Sequence, residues 1–146
     1  MLLYMDLNCF NRPFDDQSQG RIAIETEAVL SILQRIVDGV DQLAWSAVLQ
    51  LENSQHPLPD RRNEVARWGG LASVNWPISR SVVQRAEKFV GGGVRPLDAV
   101  HLAFAEAAKC DCFLTCDDQL LRKGRNLGLS LRVLNPLEYW EECSYA

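Results

Sequence analysis

Five short apolar runs, each followed by a helical pattern, constrain this chain more than any other feature. They are 2–7, 42–46, 73–76, 112–116 and 130–134. The stretch from Arg21 to Asp38 places Ile22, Val29, Ile32, Leu33 and Ile36 on a 3.6-residue period, and Gly39 closes it. A helix follows Ser46, which is placed to cap it. A polar helix ends near Trp68. Ser79 or Ser81 caps another over 79–90, and the glycines at 91–93 stop it. Pro96 suits the first position of the strongest helix, RPLDAVHLAFAEAAK, where Ala99, Val100, Ala103, Phe104 and Ala107 share a face. DDQLLRKGRNLG reads as a helix to about Gly128, and PLEYWEE as a closing helical turn or two. The segment 11–19 has loop composition. Strands alternating with helices imply an α/β fold with a mostly parallel sheet.

The chain has 146 residues, which predicts one domain over 1–146. The opening apolar run ends at Asp6 without a basic start, so it does not read as a signal peptide. No run reaches the roughly 18 apolar residues of a membrane span. Five cysteines in no framework spacing predict reduced thiols and a cytoplasmic setting. Cys110, Cys112 and Cys116 do not have zinc-knuckle spacing and read as buried thiols. The formal net charge is −4, so no basic footprint advertises nucleic acid.

In an open parallel sheet, sites form beyond the carboxyl ends of the strands. Asp6 follows the first strand, and Asp117 and Asp118 follow CFLTC. Asp98 opens the Ala-rich helix, and Glu52 lies in the helix after the second strand. Two carboxylates about 4 Å apart repel by about 4 kcal/mol at an effective dielectric of 20. Several together must protonate, separate or bind a cation. An all-oxygen set favours Mg²⁺ or Mn²⁺, and such an ion supports phosphodiester hydrolysis. Each acid also has a plainer reading. Asp98 can serve the helix dipole, Asp117 or Asp118 can cap a helix, and Glu52 can be solvated.

The segments YMDLNCF, Ser46 with Glu52, PLDAVHLAFAEAAKCDCFLTCDDQLL and VLNPLEYWEE together resemble the PIN-domain family. Within it, the VapC-like ribonuclease toxins of type II toxin–antitoxin pairs are most similar. The resemblance implies a three-layer α/β/α sandwich and metal-dependent cleavage of RNA. It implies Asp6, Glu52, Asp98 and Asp117 as the catalytic, metal-binding acids. Thr115 would orient Asp117, Asn8 would support the site, and Asp118 would be a neighbour that could share the role. It further implies an antitoxin partner and a homodimer.

Two alternatives stand beside this reading. One is a PIN fold kept as an inactive binding or regulatory module. The other is a haloacid-dehalogenase-like phosphatase, with Asp6 as nucleophile and Asp117 and Asp118 as metal acids. There Asn8 replaces the second acid that chemistry needs, and Glu52 and Asp98 have no task. His101, one turn after Asp98, reads either as a phosphate contact or as a locally bonded helix residue. Arg12, Arg61, Arg62, Arg80 and Arg95 are candidates for phosphate-binding charge or simply solvated surface. Trp45, Trp68 and Trp76 read as core or dimer packing rather than base-stacking platforms.

Overall fold

Strand β1 (Leu2–Met5) is central because all four of its residues are apolar or aromatic and three of them are buried. A computed structural model describes residues 1–145. In it β1 pairs in parallel with β2 (Gln42–Ser46) on one side and β4 (Cys112–Leu114) on the other. Strands β3 (Val74–Trp76) and β5 (Arg132–Leu134) complete an all-parallel sheet of order β3-β2-β1-β4-β5. Chain direction across the sheet therefore reverses at β1/β4.

The connections are helices α1 (Leu7–Asn11), α2 (Gly20–Val37), α3 (Ala47–Ser54), α4 (Pro59–Gly69), α5 (Arg80–Gly91), α6 (Pro96–Ala107) and α7 (Asp118–Arg125). Helix α8 (Pro136–Tyr145) follows the last strand. Parallel strands need right-handed crossovers, which place helices on both faces of the sheet. Helix α2 packs with α8, and α5 with α6. The result is a three-layer α/β/α sandwich. Its core runs through β1, β2, β4 and β5, from Leu3 and Met5 to Leu43, Phe113 and Val133, with Val74 and Trp76 of β3 half-buried against it.

Several boundaries differ from the sequence reading. The first strand ends at Met5, because Asp6 turns the chain by accepting from the Leu7 amide and capping α1. Arg12–Phe14, expected as loop, is a turn of 3₁₀ helix with Pro13 inside it. Strand β4 stops at Leu114, since the Asp117 side chain caps α7 and draws the chain out of the sheet. Helix α7 ends at Arg125, short of Gly128. Ser46, Ser79 and Pro96 act at their helix starts as the sequence implies.

Candidate active site at the carboxyl edge of the sheet

Side chains alternate along a strand, so Tyr4 and Asp6 point to the same side of β1. Helix α6 lies there and presents Asp98 and His101, three residues apart, on one face. Asp6 is 6% exposed. Its Oδ2 accepts from Thr115 Oγ1 at 3.0 Å and from Asn8 Nδ2 at 3.0 Å. Asn8 also donates to Thr115 Oγ1 at 3.0 Å and accepts from the Cys116 amide at 3.0 Å. Asn8 and Thr115 thus tie the ends of β1 and β4 together and fix the Asp6 carboxylate between them.

Glu52 reaches the same place from α3. Its Oε1 lies 3.1 Å from His101 Nε2. On the other side of the ring, His101 Nδ1 is 2.7 Å from the Tyr4 hydroxyl, which is 2.7 Å from Ser46 Oγ. The expectation of a locally bonded His101 is therefore corrected. Its partners come from β1 and α3, and it is 1% exposed. A ligand atom from each of Asp6, Glu52 and His101 lies within 4.8 Å of the other two.

Burial pushes the Asp6 carboxyl above its usual range. The His101 charge and the Thr115 hydroxyl oppose this, while Asp98 and Glu52 add to it. Burial works to lower the His101 imidazole. The hydrogen bond to Glu52 and the charges of Asp6, Glu52 and Asp98 outweigh it and hold the ring above its ordinary value.

Asp98 and Asp117 lie outside that three-residue cluster, on a rim where Arg95 joins them. Arg95, at the start of α6, donates to Asp98 Oδ2 at 3.1 Å and to Asp117 Oδ2 at 2.6 Å. The other oxygen of Asp117 caps α7, accepting from Gln119 and Leu120. Thr115 Oγ1 accepts from the Asp117 amide at 3.2 Å, so Thr115 touches both Asp6 and the Asp117 backbone. Asp118 is paired with Arg21 of α2 through two contacts of 2.7 Å. Of the arginines singled out in the sequence, Arg12 is engaged with Glu25 and Asp15. Arg61 binds the Phe14 carbonyl, and Arg62 binds the His56 carbonyl.

The donor set suits a divalent cation. A buried carboxylate with its charge incompletely offset, beside a second carboxylate and an imidazole nitrogen, offers what such an ion needs. Tyr4 escaped the sequence reading as part of this constellation, while Ser46 was read with Glu52 but not as a partner of Tyr4. The available signal was a tyrosine inside a buried strand, whose hydroxyl requires a partner.

Fold and site together define the class: a doubly wound α/β/α domain with Asp6, Glu52 and His101 clustered where the strand order reverses. The sequence matches no family model and no curated protein. The fold is similar to a chain in the crystal structure of VapBC2 from Rickettsia felis bound to a DNA fragment from their promoter. The TM-score is 0.56 at 9% identity, covering 92% of this chain and 98% of that chain. At that identity the likeness is one of fold. No helix among the described residues is long and apolar enough to cross a membrane.

Proposed function

We propose that this chain is a divalent-metal-dependent endoribonuclease that hydrolyses RNA phosphodiesters through Asp6, Glu52, Asp98 and Asp117. The observation that carries the reading is geometric: buried Asp6, at the strand-order reversal, has a ligand atom within 4.8 Å of one from Glu52 and one from His101. Crowded, under-compensated carboxylates cost stability, and a bound cation offsets that cost.

Asp6 and Glu52 would hold Mg²⁺ or Mn²⁺ in the buried half of the site. Asp98 and Asp117 would complete it at the rim once Arg95 moves. When bound, such an ion orients the phosphodiester and stabilises charge on the reacting oxygens. The chain's own residues do the rest. Asn8 and Thr115 hold Asp6 in one orientation, and His101 holds Glu52. Arg95, released from the two acids, offers a guanidinium to a substrate phosphate.

A toxin role in a toxin–antitoxin pair extends this reading, supported by the fold likeness to the VapBC2 complex. The antitoxin would close the cleft by offering Arg or Lys to the rim acids. Homodimerisation would cover exposed apolar residues such as Leu51, Leu58 and Leu71. The phosphatase alternative is weakened because it gives Glu52 no task, whereas Glu52 lies in one cluster with Asp6.

The test is cleavage of mixed single-stranded RNA by the purified chain. Activity should vanish in EDTA and return with Mg²⁺ or Mn²⁺. Undiminished cleavage in EDTA would overturn the mechanism. Turnover of small phosphomonoesters without RNA cleavage would favour the phosphatase.

A further inference from the structure

An all-carboxylate site asks of His101 only that it hold Glu52, yet its ring lies inside the cluster. Nε2 is 3.1 Å from Glu52 Oε1. Ligand atoms of Asp6, Glu52 and His101 lie within 4.8 Å of one another. Two metal–ligand bonds of about 2.1 Å span at most about 4.2 Å, so small side-chain adjustments would let all three share one ion.

The far side of the ring matters as much. Nδ1 meets the Tyr4 hydroxyl at 2.7 Å, and that hydroxyl meets Ser46 Oγ at 2.7 Å. Ser46 is itself fixed, because its Oγ accepts from the Leu49 amide while capping α3. Tyr4 stacks on Phe113 with ring centroids 5.3 Å apart and planes 10° from parallel. The imidazole is therefore held in one orientation by a buried relay built from β1, β2 and α3. When Nδ1–H donates to Tyr4, the Nε2 lone pair faces Glu52. Two electron-rich atoms at 3.1 Å need a positive charge between them, which is either a proton or a metal ion. An imidazole held through one nitrogen and aimed at carboxylates through the other has the outer support typical of metal-ligating histidines.

We propose that His101 Nε2 is a nitrogen ligand of the cation site it forms with Asp6 and Glu52. The site therefore takes a first-row transition-metal ion in preference to Mg²⁺. Imidazole nitrogen is a borderline donor that binds such ions well and Mg²⁺ poorly. Tyr4 is the positioning residue that keeps the ring turned. The inference rests on the proposed nuclease reading only in taking Asp6 and Glu52 as metal ligands.

The experiment uses the purified full chain with Mn²⁺ alone and Mg²⁺ alone. Pulsed EPR of the Mn²⁺-loaded protein should show coupling to an imidazole nitrogen, and His101→Gln should lose it. Calorimetric titration should give a Mn²⁺-over-Mg²⁺ preference that falls about tenfold or more in His101→Gln. Tyr4→Phe, which keeps the ring stack, should weaken Mn²⁺ binding several-fold while the nitrogen coupling persists. It serves as the second variant if His101→Gln does not fold. Mn²⁺ binding without nitrogen coupling would overturn the proposal and leave the carboxylate nuclease standing. No Mn²⁺ binding at millimolar concentration would also overturn it. Nitrogen coupling in a protein that cleaves no RNA would uphold the metal site and remove the nuclease.

Discussion

Asp6 and Asp41 are two buried aspartates at opposite ends of neighbouring strands, 6% and 2% exposed. Both are shielded from solvent, but Asp6 lies deeper in the fold, and their charge balance is opposite. Asp41, just before β2, accepts from Arg35 Nε at 2.8 Å, from the Tyr139 hydroxyl at 2.9 Å and from the Met1 ammonium at 3.1 Å. Burial works to raise its carboxyl, but these donors outweigh it and hold it below the usual range. Asp6 accepts from the Leu7 amide, Asn8 and Thr115; burial holds its carboxyl above that range, the His101 charge and the Thr115 hydroxyl oppose this, and Asp98 and Glu52 add to it. Asp41 is a carboxylate the fold has neutralised to join α2, β2 and α8. Asp6 accepts no hydrogen bond from an arginine or ammonium group among the described residues, and a cation there is what the proposed function would supply.

The largest expected effect breaks that comparison by function. Asp6→Asn should lower metal-dependent RNA cleavage by about a hundredfold or more, since it removes a charge meant for the reacting centre. Metal-free, it should melt no lower than the parent. Asp41→Asn should do the reverse. Cleavage per folded molecule should persist, while urea unfolding shows a loss of about 1–3 kcal/mol from orphaned partners. Equal melting losses in the two variants would dissolve the distinction.

A pH series of melts without metal sharpens it. The raised Asp6 carboxyl contributes stability that is fully present below the unfolded value of about 3.9 and lost as pH rises through its folded value. The advantage of Asp6→Asn over the parent should therefore grow from near zero at acid pH towards neutrality. The lowered Asp41 carboxyl contributes stability present above about 3.9 and lost as pH falls through its folded value. The deficit of Asp41→Asn should thus be largest at neutral pH and shrink in acid. Parallel curves would show that the two sites do not differ.

The same contrast explains what the sequence could reveal. Asp6 was legible because the alternation of strands and helices placed an acid directly after LLYM at a sheet edge where other acids could meet it, although it also caps α1. Asp98 and Asp117 were legible as acids at helix starts, but Arg95 bridging them was not. Its link to Asp98 is local, and its link to Asp117 spans 22 residues. Asp41 sits in the turn-like DGVDQ and looks solvated. Its burial depends on Tyr139, 98 residues away. Tyr4 and His101 are 97 residues apart. Local pattern reports which element a residue is in, and only packing reports which distant partner it meets. Helix α1, five residues long, is too short to show a period.

At the rim, Arg95→Gln removes the cation that Asp98 and Asp117 share. Arg95 is 61% exposed, so solvent and salt weaken its hold. Affinity for Mn²⁺ should rise at low salt by up to about fivefold, as for an exposed ion pair. The gain should fade as salt is raised. RNA binding should weaken at the same time if Arg95 becomes a phosphate contact. Unchanged Mn²⁺ affinity at low salt would mean that Arg95 does not compete for the acids.

The smallest effect separates two adjacent acids. Asp117 and Asp118 follow the same strand and look interchangeable in sequence. Asp117 has one oxygen capping α7 and the other facing Arg95, so it can turn a charge towards the site without losing its structural bond. Asp118 is 68% exposed and bound to Arg21, which itself reaches Glu25 at 3.5 Å and the Cys116 carbonyl. That pair pins the start of α7 to α2 at the surface, where an ion pair contributes little. Asp118→Asn should therefore shift stability by no more than about 0.5 kcal/mol and leave RNA cleavage within about twofold of the parent. Asp117→Asn keeps an oxygen that can cap the helix, so it should fold normally and lose cleavage. The two variants, assayed side by side for melting and for Mn²⁺-dependent RNA cleavage, test which neighbour serves the site. If Asp118→Asn lost as much cleavage as Asp117→Asn, the Arg21 pair would have to open during turnover and Asp118 would belong with the other acids.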